Sequence, residues 1–131
     1  MNEKATKDAA KSVEITDPVL LIRINKLYRH GMSAQELYEA TRGIWKLGPR
    51  REGASYAFAV FEGLVREVYE IHDWYPASTT KYETREVRQA EDRQEFEGRV
   101  APEEVRRRYV GRSVVDYLPK GSQNPFRYVN C

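Results

Sequence analysis

Apolar residues along this chain fall in short runs, and run length and spacing predict the elements. PVLLIRI (18–24) is a stretch of Val, Leu and Ile of strand length, with Pro18 where a missing N–H is tolerated, and predicts a buried strand. RHGMSAQELYEATRG (29–43) predicts a short amphipathic helix: Ser33 with Glu36 three residues on makes a capping box, Leu37, Tyr38 and Thr41 share a face, and Gly43 ends it. ASYAFAVFEGLVREVYEIHDWYP (54–76) predicts a hairpin turning at Glu62-Gly63. Its first strand sends Tyr56, Phe58 and Val60 one way and Ala57, Ala59 and Phe61 the other, so both faces are expected to be covered. Its second puts Val65, Tyr69 and Ile71 on one face with Glu67 breaking the pattern, which predicts a position nearer an edge. QEFEGRV (94–100) and NPFRYVN (124–130) predict two more strands, and APEEVRRRY (101–109) a helical turn with Pro102 near its start.

Two segments lack such periodicity. Residues 1–16 are polar and carry little to bury, which predicts a disordered N-terminal arm ahead of a single globular domain at 17–131. ASTTKYETREVRQAEDR (77–93) alternates charges without a period and predicts an exposed, mobile polar insertion. Together the elements predict an α+β domain: a small curved antiparallel sheet, or an open PUA-like β-barrel, with two short helices.

Composition narrows the function more by exclusion than by assignment. The 131 residues carry 40% hydrophobic and 32% charged side chains, enough for one core. A net charge of +2 excludes a protein that coats nucleic acid by bulk charge, so a phosphate contact requires a local patch. The single cysteine, Cys131, excludes an intramolecular disulfide and a cysteine-built zinc site, and points to a reducing, cytoplasmic setting. No stretch has the length of a signal peptide core or a membrane span, so a membrane partner is not expected.

Candidate chemistry concentrates in TRGIWKLGPRREG (41–53). Trp45 among Arg42, Lys46, Arg50 and Arg51, with Tyr56 beyond, suits a surface where an aromatic stacks on a base and arginines pair phosphates, as single-stranded and flipped-base binders require. Against this, a tryptophan between Ile44 and Leu47 is more often a core residue, and Trp74 and Tyr75 are expected to plug the end of the core. The cluster Arg106, Arg107, Arg108 and Arg112 is diluted by Glu103 and Glu104. His30 and His72 stand alone, so no metal or cofactor is expected, and neither a nucleophile elbow nor a phosphate-binding loop is present to define a catalytic set.

PVLLIRINKLYRHGMSAQELYEATRGIWKLGPRREGASYAFAVFEGLVREVYEI (18–71), YVGRSV (109–114) and GSQNPFRYVNC (121–131) resemble a domain at the C-terminal end of bacterial GIY-YIG proteins related to the animal ankyrin-and-LEM nucleases. YVGRS also looks like half of the nuclease motif, yet no GIY-like strand precedes it and no acidic residue follows Tyr117, so nuclease chemistry is not implied. The resemblance implies association with DNA or RNA processing through recognition; the stretch IWKLGPRRE followed by YAFAVFEGLVREVYEI is also similar to the PUA-like group, which includes modified-base readers. The leading expectation is a nucleic-acid-binding module without its own catalytic set. Two alternatives remain: a protein-interaction domain, such as a phage or plasmid factor acting on a host protein, and an enzyme acting on a nucleotide or nucleic acid.

Overall fold

A computed structural model describes residues 10–131. The strands are β1 (Val19–Arg23), β2 (Tyr56–Phe61), β3 (Leu64–Pro76), β4 (Gln94–Val100) and β5 (Phe126–Val129); the helices are α1 (Ala34–Arg42) and α2 (Glu103–Tyr109), with 3-10 turns at Pro49–Gly53 and Val115–Tyr117. The strands form one five-stranded sheet in the order β4-β3-β2-β1-β5, which is open: β4 and β5 are its edges. The fold is thus α+β, a small sheet with two short helices.

The sheet is mixed, because β1 and β2 run parallel while every other neighbouring pair is antiparallel. Parallel neighbours need a crossover connection, and the segment between β1 and β2 supplies one by carrying α1 over one face. The strand pattern alone predicts a purely antiparallel sheet; chain direction within a sheet is set by this crossover, which strand composition does not report. Position in the sheet agrees with the pattern: β2 is the central strand, and β3 lies nearer an edge, paired to β2 along one side and to the edge strand β4 along the other.

Alternation along β1 and β2 builds a core on each face. Val19, Leu21, Phe58, Val60, Val65 and Val68 meet Val105 and Tyr109 of α2, together with Val114, on one face. Leu20, Ile22, Ala57, Ala59, Tyr69 and Phe96 meet Leu37 and Tyr38 of α1, with Trp45, Trp74 and Phe126 at the margin, on the other. Val65 therefore faces away from Tyr69 and Ile71, because the register shift opposite Ala59/Val60, between Val65 and Glu67 of β3, changes which face the later residues address. Glu67 is accommodated by Arg106 of α2, whose Nε donates to Oε1 at 2.8 Å and Nη2 to Oε2 at 3.2 Å. The hairpin turn is tight: Glu62 has φ 53° and Gly63 φ 74°, the left-handed pair of a two-residue turn. Helix α1 has the capping box, with Glu36 N–H donating to Ser33 Oγ at 3.1 Å and Ser33 N–H to Glu36 Oε1 at 2.9 Å.

Both segments without periodicity are tied into the fold. Residues 1–9 of the expected arm lie outside the described residues, but the rest of it belongs to the domain: Ile15 is 4% exposed, Ser113 N–H donates to Lys11 O at 2.9 Å, and Ile15 N–H donates to the Tyr117 hydroxyl at 2.9 Å. Buried Ile15, with Val13 packed against the same cluster and hydrogen-bonding neighbours, anchors a stretch whose composition is mostly polar, so the domain boundary lies before Asp17. The insertion at 77–93 is largely exposed, as expected, but its first half is fastened to the domain as a strap. Ala77 is buried, and the residues from Ser78 to Arg85 bond to Glu95 of β4 and Glu39 of α1.

Candidate functional site

A broad concavity lies at the β1–β5 edge, on the side of the sheet that α1 covers. After Arg23 the chain folds into a turn, with Leu27 N–H and Tyr28 N–H both donating to Ile24 O at 3.1 and 2.9 Å. Arg23 holds the opposite wall: its Nη1 donates to Ser122 O at 2.9 Å and its N–H to Pro125 O at 2.8 Å. A third wall comes from Trp45, whose N–H and carbonyl pair with Gln94 at 3.0 and 2.7 Å, so the chain after α1 is clipped to the start of β4. The resulting groove has a volume of about 950 Å³.

Its chemistry is one-sided. Arg23, Lys26, Lys46 and Arg93 line it, as do Leu27, Trp45 and Phe126, and among the described residues no carboxylate does. In a chain with a net charge of only +2, four cations around one concavity amount to a local positive field over an apolar floor. Among the described residues Lys26 and Lys46 have no hydrogen-bond or ion-pair partner. Arg23 is engaged with the Ser122 loop and Arg93 reaches the Ile44 carbonyl at 3.5 Å. The aromatic floor is fixed before any ligand arrives: Trp45 Nε1 donates to Thr41 O at 2.7 Å, and its ring meets Phe126 edge-to-face with centroids 5.4 Å apart.

Of the six residues proposed from sequence, the structure brings Trp45 and Lys46 to this groove. Arg50 lies at the same sheet margin, with its guanidinium bound to the main-chain oxygen of Cys131 at 2.7 and 3.0 Å and 4.7 Å from the Tyr128 ring centroid. Arg51 is partly covered and donates to Leu47 O at 3.2 Å. Arg42 and Tyr56 are corrections. Arg42 is 2% exposed, because it sits in the last turn of α1 on the side facing the sheet, so it cannot meet a phosphate in solution. Tyr56 packs on the opposite face of the sheet beside α2, since β-strand alternation points it away from Ala57 and the Trp45 side. Burial together with Asp17 and Glu70 raises its hydroxyl pKa. Sequence reading missed Arg23, Lys26, Arg93 and Phe126, which come from distant segments and meet only because β5 pairs with β1 and Trp45 with Gln94.

A second polar cluster lies beneath the strap and is closed to chemistry. Arg42 Nε donates to Phe96 O at 2.9 Å and its guanidinium lies 4.3 Å from the Tyr82 ring centroid and 5.4 Å from that of Tyr38. Glu39 accepts from Gln35 Nε2, Glu83 N–H, Thr84 N–H and Thr84 Oγ1, all at 2.7–2.8 Å. Burial works against its charge, but these donors outweigh it and hold its pKa near 2, below the ordinary 4.5. Glu95 likewise accepts from Ser78 N–H at 2.6 Å, Thr80 N–H at 2.8 Å, Thr80 Oγ1 and the Tyr82 hydroxyl at 3.2 Å. Burial raises the Tyr82 hydroxyl pKa, against the pull of Arg42. Both carboxylates are saturated with donors from the strap, so this cluster fastens it to the domain.

Fold and groove together define an α+β domain with an open mixed sheet and a basic, aromatic-floored groove at one edge. No protein-family model, curated protein or solved structure matches the chain. No helix among the described residues is long and apolar enough to cross a membrane.

Proposed function

We propose that this domain binds nucleic acid through the β1–β5 groove, as a recognition module without its own catalytic set. The observation that carries the reading is the lining: four cations, two aromatic rings and, among the described residues, no carboxylate around one concavity. Phosphate oxygens require cations not already neutralised by neighbours, and among the described residues Lys26 and Lys46 meet that requirement. Trp45 and Phe126 supply the apolar surface against which a base or sugar rests. The sequence resemblance to the C-terminal domain of GIY-YIG proteins fits the same role. A cytoplasmic setting belongs to the proposal, since Cys131 is free.

Anisotropy titrations of labelled DNA and RNA at several salt concentrations test it. Binding should weaken with salt, and Lys26→Ala with Lys46→Ala should lower the slope of log K against log salt by about 1.4 to 1.8. Stability should stay within about 1 kcal/mol, since exposed lysines contribute little to folding. An unchanged slope would move the site elsewhere. Absence of binding at low salt, with capture of a protein partner that survives nuclease treatment, would favour the protein-interaction alternative.

A further inference from the structure

We infer that the groove takes single-stranded rather than duplex nucleic acid, seating a base against Trp45 and Phe126 and reading its edge with the side-chain amides of Asn25 and Gln123; this rests on the nucleic-acid reading above. The first reason is shape. A duplex presents grooves of its own, and proteins read them with a protruding element, a helix or a two-stranded ribbon. Here the candidate contacts line a concavity, which accepts a protruding ligand, and a single strand with unstacked bases is one. The volume of about 950 Å³ falls at the upper end of cavities that enclose small molecules, at roughly 300–1,000 Å³, so it holds a base with its sugar and phosphate.

The second reason is the composition of the lining. Trp45 and Phe126 supply aromatic surface, Lys26 and Lys46 are exposed cations, and the amides of Asn25 and Gln123 also line the groove, both exposed. Among the described residues neither amide side chain makes a hydrogen bond. An amide offers an acceptor and two donors, the complement that a base edge requires, and a strand whose bases are unpaired offers that edge free. The indole is already immobilised by its bond to Thr41 O, so seating a base against it costs little further side-chain ordering.

The test uses the full chain with labelled DNA homopolymers of adenine, cytosine and thymine, and a mixed-sequence duplex of the same length, at one fixed low salt. Single strands are expected to bind about tenfold or more tightly than the duplex, and the homopolymers to differ among themselves. Asn25→Ala with Gln123→Ala, both at exposed positions, should flatten the differences among homopolymers while leaving the salt slope as in the native chain. Trp45→Phe, which keeps a ring while changing its area, should weaken single-strand binding more than duplex binding. Duplex bound as tightly as single strands would overturn the inference and leave nucleic-acid binding standing. Equal homopolymer affinities in the native protein, or differences that survive the double amide change, would overturn base reading by these two residues. No binding to any probe would overturn both readings.

Discussion

Arg42 and Lys46 are four residues apart and carry the same charge, yet one is enclosed and the other faces the groove. The difference lies in where each stands relative to the end of α1: Arg42 occupies the inward side of its last turn, where the strap closes over it, while Lys46 comes after the chain has straightened against β4. Arg42→Ala should therefore destabilise the domain by at least about 2 kcal/mol, because it removes a charged donor from the Phe96 carbonyl and leaves the Tyr82 contact empty. Lys46→Ala should cost within about 0.5 kcal/mol and show its effect only in ligand binding. Urea unfolding of both variants checks the contrast. Gly63 makes a similar point about backbone: at φ +74°, with Val115 Cγ2 2.5 Å from where a Cβ would stand, Gly63→Val should cost well over about 1 kcal/mol despite its surface turn. A Gly63→Val protein with the native urea midpoint would contradict the turn geometry.

At the scale of elements, the strap between β3 and β4 is held chiefly by two carboxylates from other elements. Glu39 contributes from α1 and Glu95 from β4, and the strap supplies main-chain and hydroxyl donors to both. Since the folded pKa of Glu39 lies near 2 and its ordinary value is 4.5, its contribution is fully present above pH 4.5 and is lost as pH falls toward 2. Glu39→Gln should lower stability by about 1–3 kcal/mol at neutral pH, because an amide NH₂ replaces one acceptor oxygen among buried donors. The gap between native and variant should narrow as pH falls through that window. Hydrogen exchange at the Glu83 and Thr84 amides should speed up in the variant at neutral pH; native protection would assign the strap to other contacts.

For the whole molecule, the two faces of the sheet need closure from opposite ends of the chain. The segment from Lys11 to Thr16 covers the α2 side through Ile15 and bonds to Ser113, Tyr117 and Tyr109, and β5 extends the sheet beside β1. Asn130 joins the two ends, its Nδ2 donating to Ile15 O at 2.8 Å. A truncation starting at Asp17 should lower stability by about 2–4 kcal/mol, the scale of losing one buried isoleucine and its neighbouring hydrogen bonds. A thermal melt unchanged by that truncation would contradict the role given to Ile15. The same closure shapes the candidate groove, which forms where β5 brings Phe126 and its preceding loop beside Arg23.

What the sequence determined by itself was local: the capping box at Ser33, the turn at Gly63, the five strands and the alternation that covers both faces of β2. Each depends on residues close along the chain, where backbone geometry and side-chain period act directly. Trp45 and Lys46 were legible as candidate binding residues for the same reason, being adjacent. Tertiary structure alone decided the parallel pairing of β1 with β2, the burial of Arg42 and the fastening of the strap. It also decided that Tyr56 leaves the candidate site while Arg23, Lys26, Arg93 and Phe126 enter it. These depend on which distant segments meet, and a charged residue reads the same in sequence whether its partner across the fold is a carboxylate, a tyrosine ring or water.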